Sequence, residues 1–270
     1  MATATGTPAF GAMAELAAPA GWSSVEIISD LHLQPSEPRT FEDWQRYLRA
    51  SSASALFILG DLFEAWVGDD ALLESGSFEA RCAALLREAA LKRPLFFMHG
   101  NRDFLIGEAF AQAAALRLLP DPTPLAFLGR RYLLSHGDAL CLDDVPYQRF
   151  RALARSSAWQ AQLLAQPLAQ RRQLAGQMRS ESAARQQRET IYADVDGAAA
   201  LAWLDAARAD TLIHGHTHRP AEHTLDAGHR RMVLSDWDTD AQPPRAEVLR
   251  IDRQGLRRIA LAHYLGQPPA

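Results

Sequence analysis

Five short apolar runs punctuate the chain, and each ends abruptly in a polar turn rich in Asp, Asn or His. Residues 25–28 precede Ser29-Asp30-Leu31-His32, and residues 55–59 precede Gly60-Asp61. Residues 95–98 precede His99-Gly100-Asn101-Arg102-Asp103, residues 132–134 precede Ser135-His136-Gly137-Asp138, and residues 211–213 precede His214-Gly215-His216-Thr217-His218. Runs this short, bounded by glycine turns, suit strands buried on both faces. Helical patterns lie between several of them, over residues 40–49 and 78–91. Strand, turn, helix, strand predicts an α/β layer fold. Further strands are expected near residues 232–234, 246–251 and 256–261, and their closer spacing predicts a more antiparallel section near the C-terminus. No internal repeat is present.

Composition narrows the class. The chain has 270 residues, 48% hydrophobic and 22% charged, which excludes disordered, collagen-like and low-complexity proteins. A net charge of −4 argues against wholesale nucleic-acid binding. Cys82 and Cys141 are too few for a disulfide framework and suit a reducing compartment. No run approaches the ~18 apolar residues of a membrane span. Residues 1–21 are rich in Ala, Pro and Gly and lack Lys and Arg, so they are expected to be a disordered or loosely packed extension rather than a secretory signal. Residues 22–270 then form one domain, in a cytosolic globular protein.

One stretch departs from the rest. Residues 146–188 hold eight arginines against the single acid Glu181, a local +7. Leu153, Trp159, Leu163, Leu164, Leu168, Leu174 and Met178 recur there at helical intervals, predicting a helical insertion over 146–190. It is either a solvated basic face or a cap meeting an anionic amphiphile or an acidic membrane surface.

Chemistry gathers at the strand ends, where α/β sheets collect ligands. Asp30, His32, Asp61, Asn101, His136, His214 and His216 stand there. Oxygen and imidazole donors suit Mn, Fe, Zn, Co or Ni rather than Ca, which prefers oxygen alone. Seven ligands are too many for one ion with an open position and fit two ions sharing a carboxylate, for which Asp61 is placed. Each fragment alone is weak, Gly-Asp being ordinary turn chemistry. Their succession, each after an apolar run, is not ordinary.

Asp-x-His, Gly-Asp, Gly-Asn-x-Asp, His-Gly-Asp and Gly-His-x-His in this order resemble the calcineurin-like binuclear metallophosphoesterases. The resemblance implies a four-layer α/β/β/α metallophosphoesterase sandwich, here with a helical lid insertion, that hydrolyses phosphate esters or anhydrides. Ser29-Asp30-Leu31-His32-Leu33, the stretch from Gly60-Asp61 to Gly68-Asp69-Asp70, His99-Gly100-Asn101-Arg102-Asp103-Phe104-Leu105 and His214-Gly215-His216-Thr217-His218-Arg219-Pro220, with the basic insertion, are similar to the branch acting on UDP-2,3-diacylglucosamine in lipid A synthesis. Arg102 stands where many other relatives carry His.

The resemblance further implies two Mn²⁺ ions, one on Asp30, His32, Asp61 and His216, the other on Asp61, Asn101, His136 and His214. Catalysis would rest on Asp61, His214 and Arg102, a hydroxide between the ions attacking the α-phosphorus to give UMP and 2,3-diacylglucosamine 1-phosphate. Substrate contacts fall on Asn101, Arg102, Asp144 and His214, and by a local match open to slippage on Ser182, Gln186 and Arg188, where the usual Lys is replaced by Arg or lost. Asp144 can equally be a helix N-cap, and Arg102 can equally pair with Asp103 or Asp69. The insertion's leucines and Trp159 would line a groove for acyl chains while its arginines face anionic headgroups, which places the protein on the cytosolic face of the inner membrane. Phe63, Trp66 and Trp203 are expected in the core, Asp103 and Asp138 as braces, and His99 and His218 as spectators. Two alternatives remain. A metallophosphoesterase acting on nucleotides or dinucleoside polyphosphates fits less well with the insertion and Arg102, and a metal-free scaffold should have lost ligand positions that this chain keeps.

Overall fold

The computed structural model describes residues 13–188 and 193–266, with the side chains of 181–188 excepted. The strands are β1 (Leu16–Ala17), β2 (Ser24–Ile28), β3 (Ala55–Leu59), β4 (Leu95–Met98), β5 (Arg117–Leu119), β6 (Thr123–Phe127), β7 (Arg130–Leu134), β8 (Thr211–His214), β9 (Ala221–Thr224), β10 (Arg230–Val233), β11 (Glu247–Asp252) and β12 (Gly255–Ala260). The helices are α1 (Pro38–Ala50), α2 (Phe78–Ala90), α3 (Glu108–Ala114), α4 (Val145–Ala154), α5 (Ser157–Leu164), α6 (Leu168–Arg188), α7 (Gly197–Ala207) and α8 (Leu261–Tyr264).

The apolar runs form two six-stranded sheets, ordered β1-β6-β7-β8-β10-β9 and β12-β11-β2-β3-β4-β5. Their inner faces meet in a dry core where Val25, Ile27, Phe57 and Phe96 oppose Leu125, Tyr132, Leu134 and Ile213. Alternate residues of the same strands point outward. Ile28, Leu56, Ile58 and Phe97 pack with Trp44, Leu86 and Phe110 of α1, α2 and α3. Leu133 and Leu212 pack with Ala200, Trp203 and Leu204 of α7. The layers are therefore helix, sheet, sheet, helix, as expected. Glu26 is the one acid inside buried β2, and it is matched by Tyr47 Oη–H, Ser51 Oγ–H, Tyr264 Oη–H and the Arg250 guanidinium, which donate at 2.8, 2.6, 2.8 and 2.7 Å.

One sequence expectation needs correction here. Leu16–Ala17 pair in parallel with Leu125–Ala126, and Leu16, Ala18 and Trp22 pack on the inter-sheet core. Residues 13–21 thus complete the sheet edge instead of hanging loose, while residues 1–12 lie outside the described residues. The C-terminal section is more antiparallel, as expected, with β10 against β9 and β11 against β12 and β2, while β10 also joins β8 in parallel.

The basic stretch folds as α4, α5 and α6, and among the described residues no helix is long and apolar enough to cross a membrane. Most of its arginines turn toward the body of the protein. Arg171, only 3% exposed, donates to the Val67 carbonyl and to Asp70. Arg172 pairs with Glu74 at 2.7 Å, Arg179 with Glu64 at 2.7 Å and Arg151 with Asp138 at 2.8 Å, and Arg155 donates to the Gly100 carbonyl at 2.8 Å. Among the described side chains, Arg151, Arg171, Arg172 and Arg179 thus face acids of the protein's body, so these four do not form a solvated basic face.

Candidate active site

The sheet that holds β2, β3 and β4 delivers Asp30, Asp61 and Asn101 from their ends, and the sheet that holds β7 and β8 delivers His136 from β7 and the His-Gly-His-Thr-His turn from β8. The chain bends sharply at these exits. Asp30, His32, Asp61, His216 and His218 all have positive φ, of 54°, 48°, 53°, 66° and 53°. Left-handed backbone in non-glycine residues costs about 1–2 kcal/mol each and persists only where the surroundings enforce it. Here it folds five donor side chains back into the cleft between the sheets. Glycine is required beside them: a Cβ on Gly60, at φ 88°, would stand 2.6 Å from the Gly100 backbone and from His136 Nδ1, and one on Gly215 would fall on the Asp30 carboxylate.

The donors form two touching groups. Asp30, His32 and His218 bring ligand atoms within 4.8 Å of one another, as do Asp30, Asp61 and His136. Asp61 Oδ2 lies 4.0 Å from His32 Nε2 and 3.8 Å from His136 Nε2, which places it between them. Asn101 Oδ1 lies 2.9 Å from His136 Nε2 and 2.8 Å from His216 Nδ1. His218 Nε2 faces His32 Nε2 at 3.1 Å and Asp30 Oδ1 at 3.4 Å. Mixed carboxylate, amide and imidazole donors facing one another in this way fit two divalent cations. One would take Asp30, His32, Asp61 and His218, the other Asp61, Asn101, His136 and His216.

This division corrects the expected ligand sets. His214 is the last residue of β8 and, by strand alternation, shares the outward side of Leu212, facing α7 rather than the cleft. Its ring is fully buried, Nδ1 contacts the Gly215 carbonyl at 2.8 Å, and Nε2 has no hydrogen-bond partner among the described residues. His216 stands with Asn101 and His136 rather than beside His32, and His218, expected as a spectator, faces Asp30 and His32. The pattern Gly-His-x-His, read from Gly215, contains both histidines that face the other donors, whereas the overlapping His-Gly-His includes His214, which does not.

Electrostatics bind the cluster together. Burial alone would lower the His136 pKa, but the Asp61, Asp30 and Asp138 carboxylates outweigh it and raise it to about 9. Burial would raise that of Asp30, yet the hydrogen bond and charge of His218 and the charges of His136 and His32 hold it well below the ordinary range. Burial and the neighbouring His136 depress His216 to about 4, and burial, helped by Arg231, depresses His214 to about 3. Asp103 is raised to about 7 by burial and by Asp61. It braces the turns by accepting from Gly100 N–H at 2.8 Å and Leu62 N–H at 2.7 Å. Asp138 accepts from Tyr147 Oη–H and Arg151 Nε–H.

A cavity of about 390 Å³ opens beside Asn101 and Arg102 and runs under α4, α5 and α6, walled by Trp66, Phe104, Phe150, Trp159, Leu163, Leu174 and Met178. Trp66 is therefore both core and wall, whereas Phe63 and Trp203 are core alone. Arg102 donates its backbone N–H to Asp61 Oδ1 at 2.8 Å, and its side chain lines the cavity. Its alternative partner Asp69 is occupied by Trp66 Nε1–H and by the N–H groups of Gly107 and Phe110. Asp144 caps α4, accepting from Tyr147 N–H at 3.0 Å, and is not on the cavity wall. Tyr147, which sequence reasoning missed, is on that wall and stacks on His216 at 5.9 Å. Ser182, Gln186 and Arg188 fall on the last turns of α6, and their side chains lie outside the described residues.

The model of the calcineurin-like phosphoesterase domain matches residues 24–220. The chain is 47% identical over 250 residues to the UDP-2,3-diacylglucosamine hydrolase of Stenotrophomonas maltophilia (strain K279a), covering 87% of this chain and 98% of that protein. It is 48% identical over 250 residues to the protein of the same name in Xanthomonas campestris pv. campestris (strain 8004), covering 87% and 98%. To that of Bordetella pertussis (strain Tohama I) it is 46% identical over 238 residues, covering 86% and 92%.

Proposed function

This chain belongs to the calcineurin-like phosphoesterase family, and we propose that it hydrolyses the pyrophosphate bond of UDP-2,3-diacylglucosamine at the α-phosphorus, releasing UMP and 2,3-diacylglucosamine 1-phosphate. The observation that carries this reading is the junction of the donor cluster with the apolar cavity through Asn101 and Arg102. A polar phosphate site opening directly into an aromatic and aliphatic tunnel matches an acylated sugar phosphate better than a plain nucleotide. The names of the relatives agree with it.

Asp30, His32, Asp61 and His218 would hold one divalent ion, and Asp61, Asn101, His136 and His216 the other, with Mn²⁺ suited to this oxygen and imidazole set. Held by these residues, such cations would supply positive charge to the phosphate and lower the pKa of a bound water. Arg102 adds a fixed planar donor to the phosphate, stabilising charge as it builds up in the transition state. Asn101 and Tyr147 line the cavity beside Arg102. The leaving group is itself a phosphate monoester, so no strong general acid is needed. The walls from α4, α5 and α6 take an acyl chain and exclude water. Because the substrate is an amphiphile, we place the protein at the cytosolic face of the inner membrane.

Incubating the protein with UDP-2,3-diacylglucosamine and Mn²⁺ in ¹⁸O-water tests the proposal. UMP carrying the label, with turnover abolished by chelator, is the expected result. Label in the sugar phosphate, or release of UDP, would place the attack elsewhere.

A further inference from the structure

Glu64 follows β3 in the turn that leads to the cavity wall, and no motif argument singles it out. Its two carboxylate oxygens face different layers of the molecule. Oε2 lies 2.9 Å from His32 Nδ1, the ring nitrogen opposite the one turned toward Asp61 and His218. Oε1 lies 2.7 Å from Nε of Arg179 on α6. The carboxylate thus lies within hydrogen-bonding reach of the His32 ring and within ion-pair reach of the Arg179 guanidinium. The carboxylate is mostly buried, at 16% exposure, which screens these attractions little. Glu64 therefore joins a residue of the donor cluster to the helix that roofs the cavity. The other acids that meet α6 do not do this, since Asp70, Glu74 and Glu79 pair with Arg171 and Arg172 and touch no donor of the cluster.

We propose that Glu64 is a positioning residue that orients His32 for its cation and at the same time docks α6, so that filling the metal site and closing the cavity roof are coupled. Carboxylates behind a ligating imidazole fix the ring and its tautomer, and losing one typically costs about 10–100-fold in metal affinity. The added feature is that the same carboxylate is shared with the roof. Cation binding at His32 stiffens the ring, Glu64 and, through Arg179, α6. The inference rests on the two-cation reading above.

The test uses the full chain, Co²⁺ as the probe and amide hydrogen exchange as a second readout. Wild type should bind two Co²⁺ ions, and loading them should slow exchange over residues 171–180. In Glu64→Gln, one Co²⁺ should bind at least about tenfold more weakly with an altered visible spectrum, and loading should no longer slow exchange in α6. Arg172→Gln, which breaks a surface pair on the same helix, should leave Co²⁺ affinity and spectrum unchanged. Should Glu64→Gln fail to fold, Glu64→Asp, which keeps the charge but shortens the reach, must show the same two losses. Co²⁺ affinity within twofold of wild type, or α6 protected equally by metal in the variant, would overturn the proposal. Fewer than two Co²⁺ ions in wild type would instead count against the two-cation reading, with the coupling still judged from the variants.

Discussion

Replacing Gly60 by alanine separates backbone strain from crowding of the donor cluster. Gly60 and Gly129 both have positive φ, 88° and 75°, and an alanine in this region costs about 1–2 kcal/mol. At Gly129 an added Cβ meets nothing within 4 Å, whereas at Gly60 it stands 2.6 Å from the Gly100 backbone and from His136 Nδ1. Ordinary contact begins at 3.4 Å, so Gly100 or His136 must give way by about 0.8 Å. Overpacking of this kind adds about 1–3 kcal/mol. Gly129→Ala should therefore lower unfolding free energy by about 1–2 kcal/mol, and Gly60→Ala by about 2–5 kcal/mol. Function should separate them further. His136 is a proposed cation donor, and Gly100 precedes Asn101, so a shift approaching 1 Å should reduce turnover by about two orders of magnitude and weaken Mn²⁺ binding. Urea unfolding, Mn²⁺ titration and the UMP-release assay on both variants provide the readouts. If Gly60→Ala matched Gly129→Ala in turnover and Mn²⁺ affinity, the tight apposition of β3, β4 and β7 ends inferred here would be wrong.

Arg171→Ala should lower unfolding free energy by about 2–3 kcal/mol, because it strips a buried guanidinium from the Val67 carbonyl and Asp70. A change under about 0.5 kcal/mol in chemical denaturation would mean that α6 is anchored elsewhere. Arg102→Ala should lower kcat while leaving bound Mn²⁺ unchanged by elemental analysis; unaltered kcat would remove Arg102 from the reaction. Asp194 opposes buried Arg231 at 2.9 Å. Despite the opposing pull of burial, its hydrogen bond to Arg231 and the Val195 backbone hold its pKa below the ordinary 3.8. A depressed carboxylate stabilises the fold above its unfolded value and loses that contribution as pH falls through the folded one. Asp194→Asn should thus be less stable than wild type at pH 7, by no more than about 1 kcal/mol for so exposed a group. The gap should shrink as pH drops below 3.8, and a gap independent of pH in urea titrations would contradict the assignment.

The sandwich was legible because β2, β3, β4, β7 and β8 are buried on both faces and so appear as unbroken apolar runs. Their polar exits marked the cleft for the same reason. β5 and β9 left no such trace, being short and partly exposed at the sheet edges, and β1 was hidden in a composition that resembles a loose tail. The choice among His214, His216 and His218 depended on where β8 ends. A one-residue difference there reverses the facing of a side chain, and sequence spacing does not set it. The arginines of the insertion looked unpaired because Glu64, Asp70 and Glu74 lie about a hundred residues away. Asp144 showed its cap chemistry plainly, through the helix that follows it, whereas Tyr147 one turn later gave no sign of reaching His216.

Anomalous diffraction from crystals grown with Mn²⁺ tests the two-cation centre most directly. Two peaks are expected, one among Asp30, His32, Asp61 and His218 and one among Asp61, Asn101, His136 and His216, with none at His214. A single peak, or manganese bound to His214 Nε2, would contradict the centre as described.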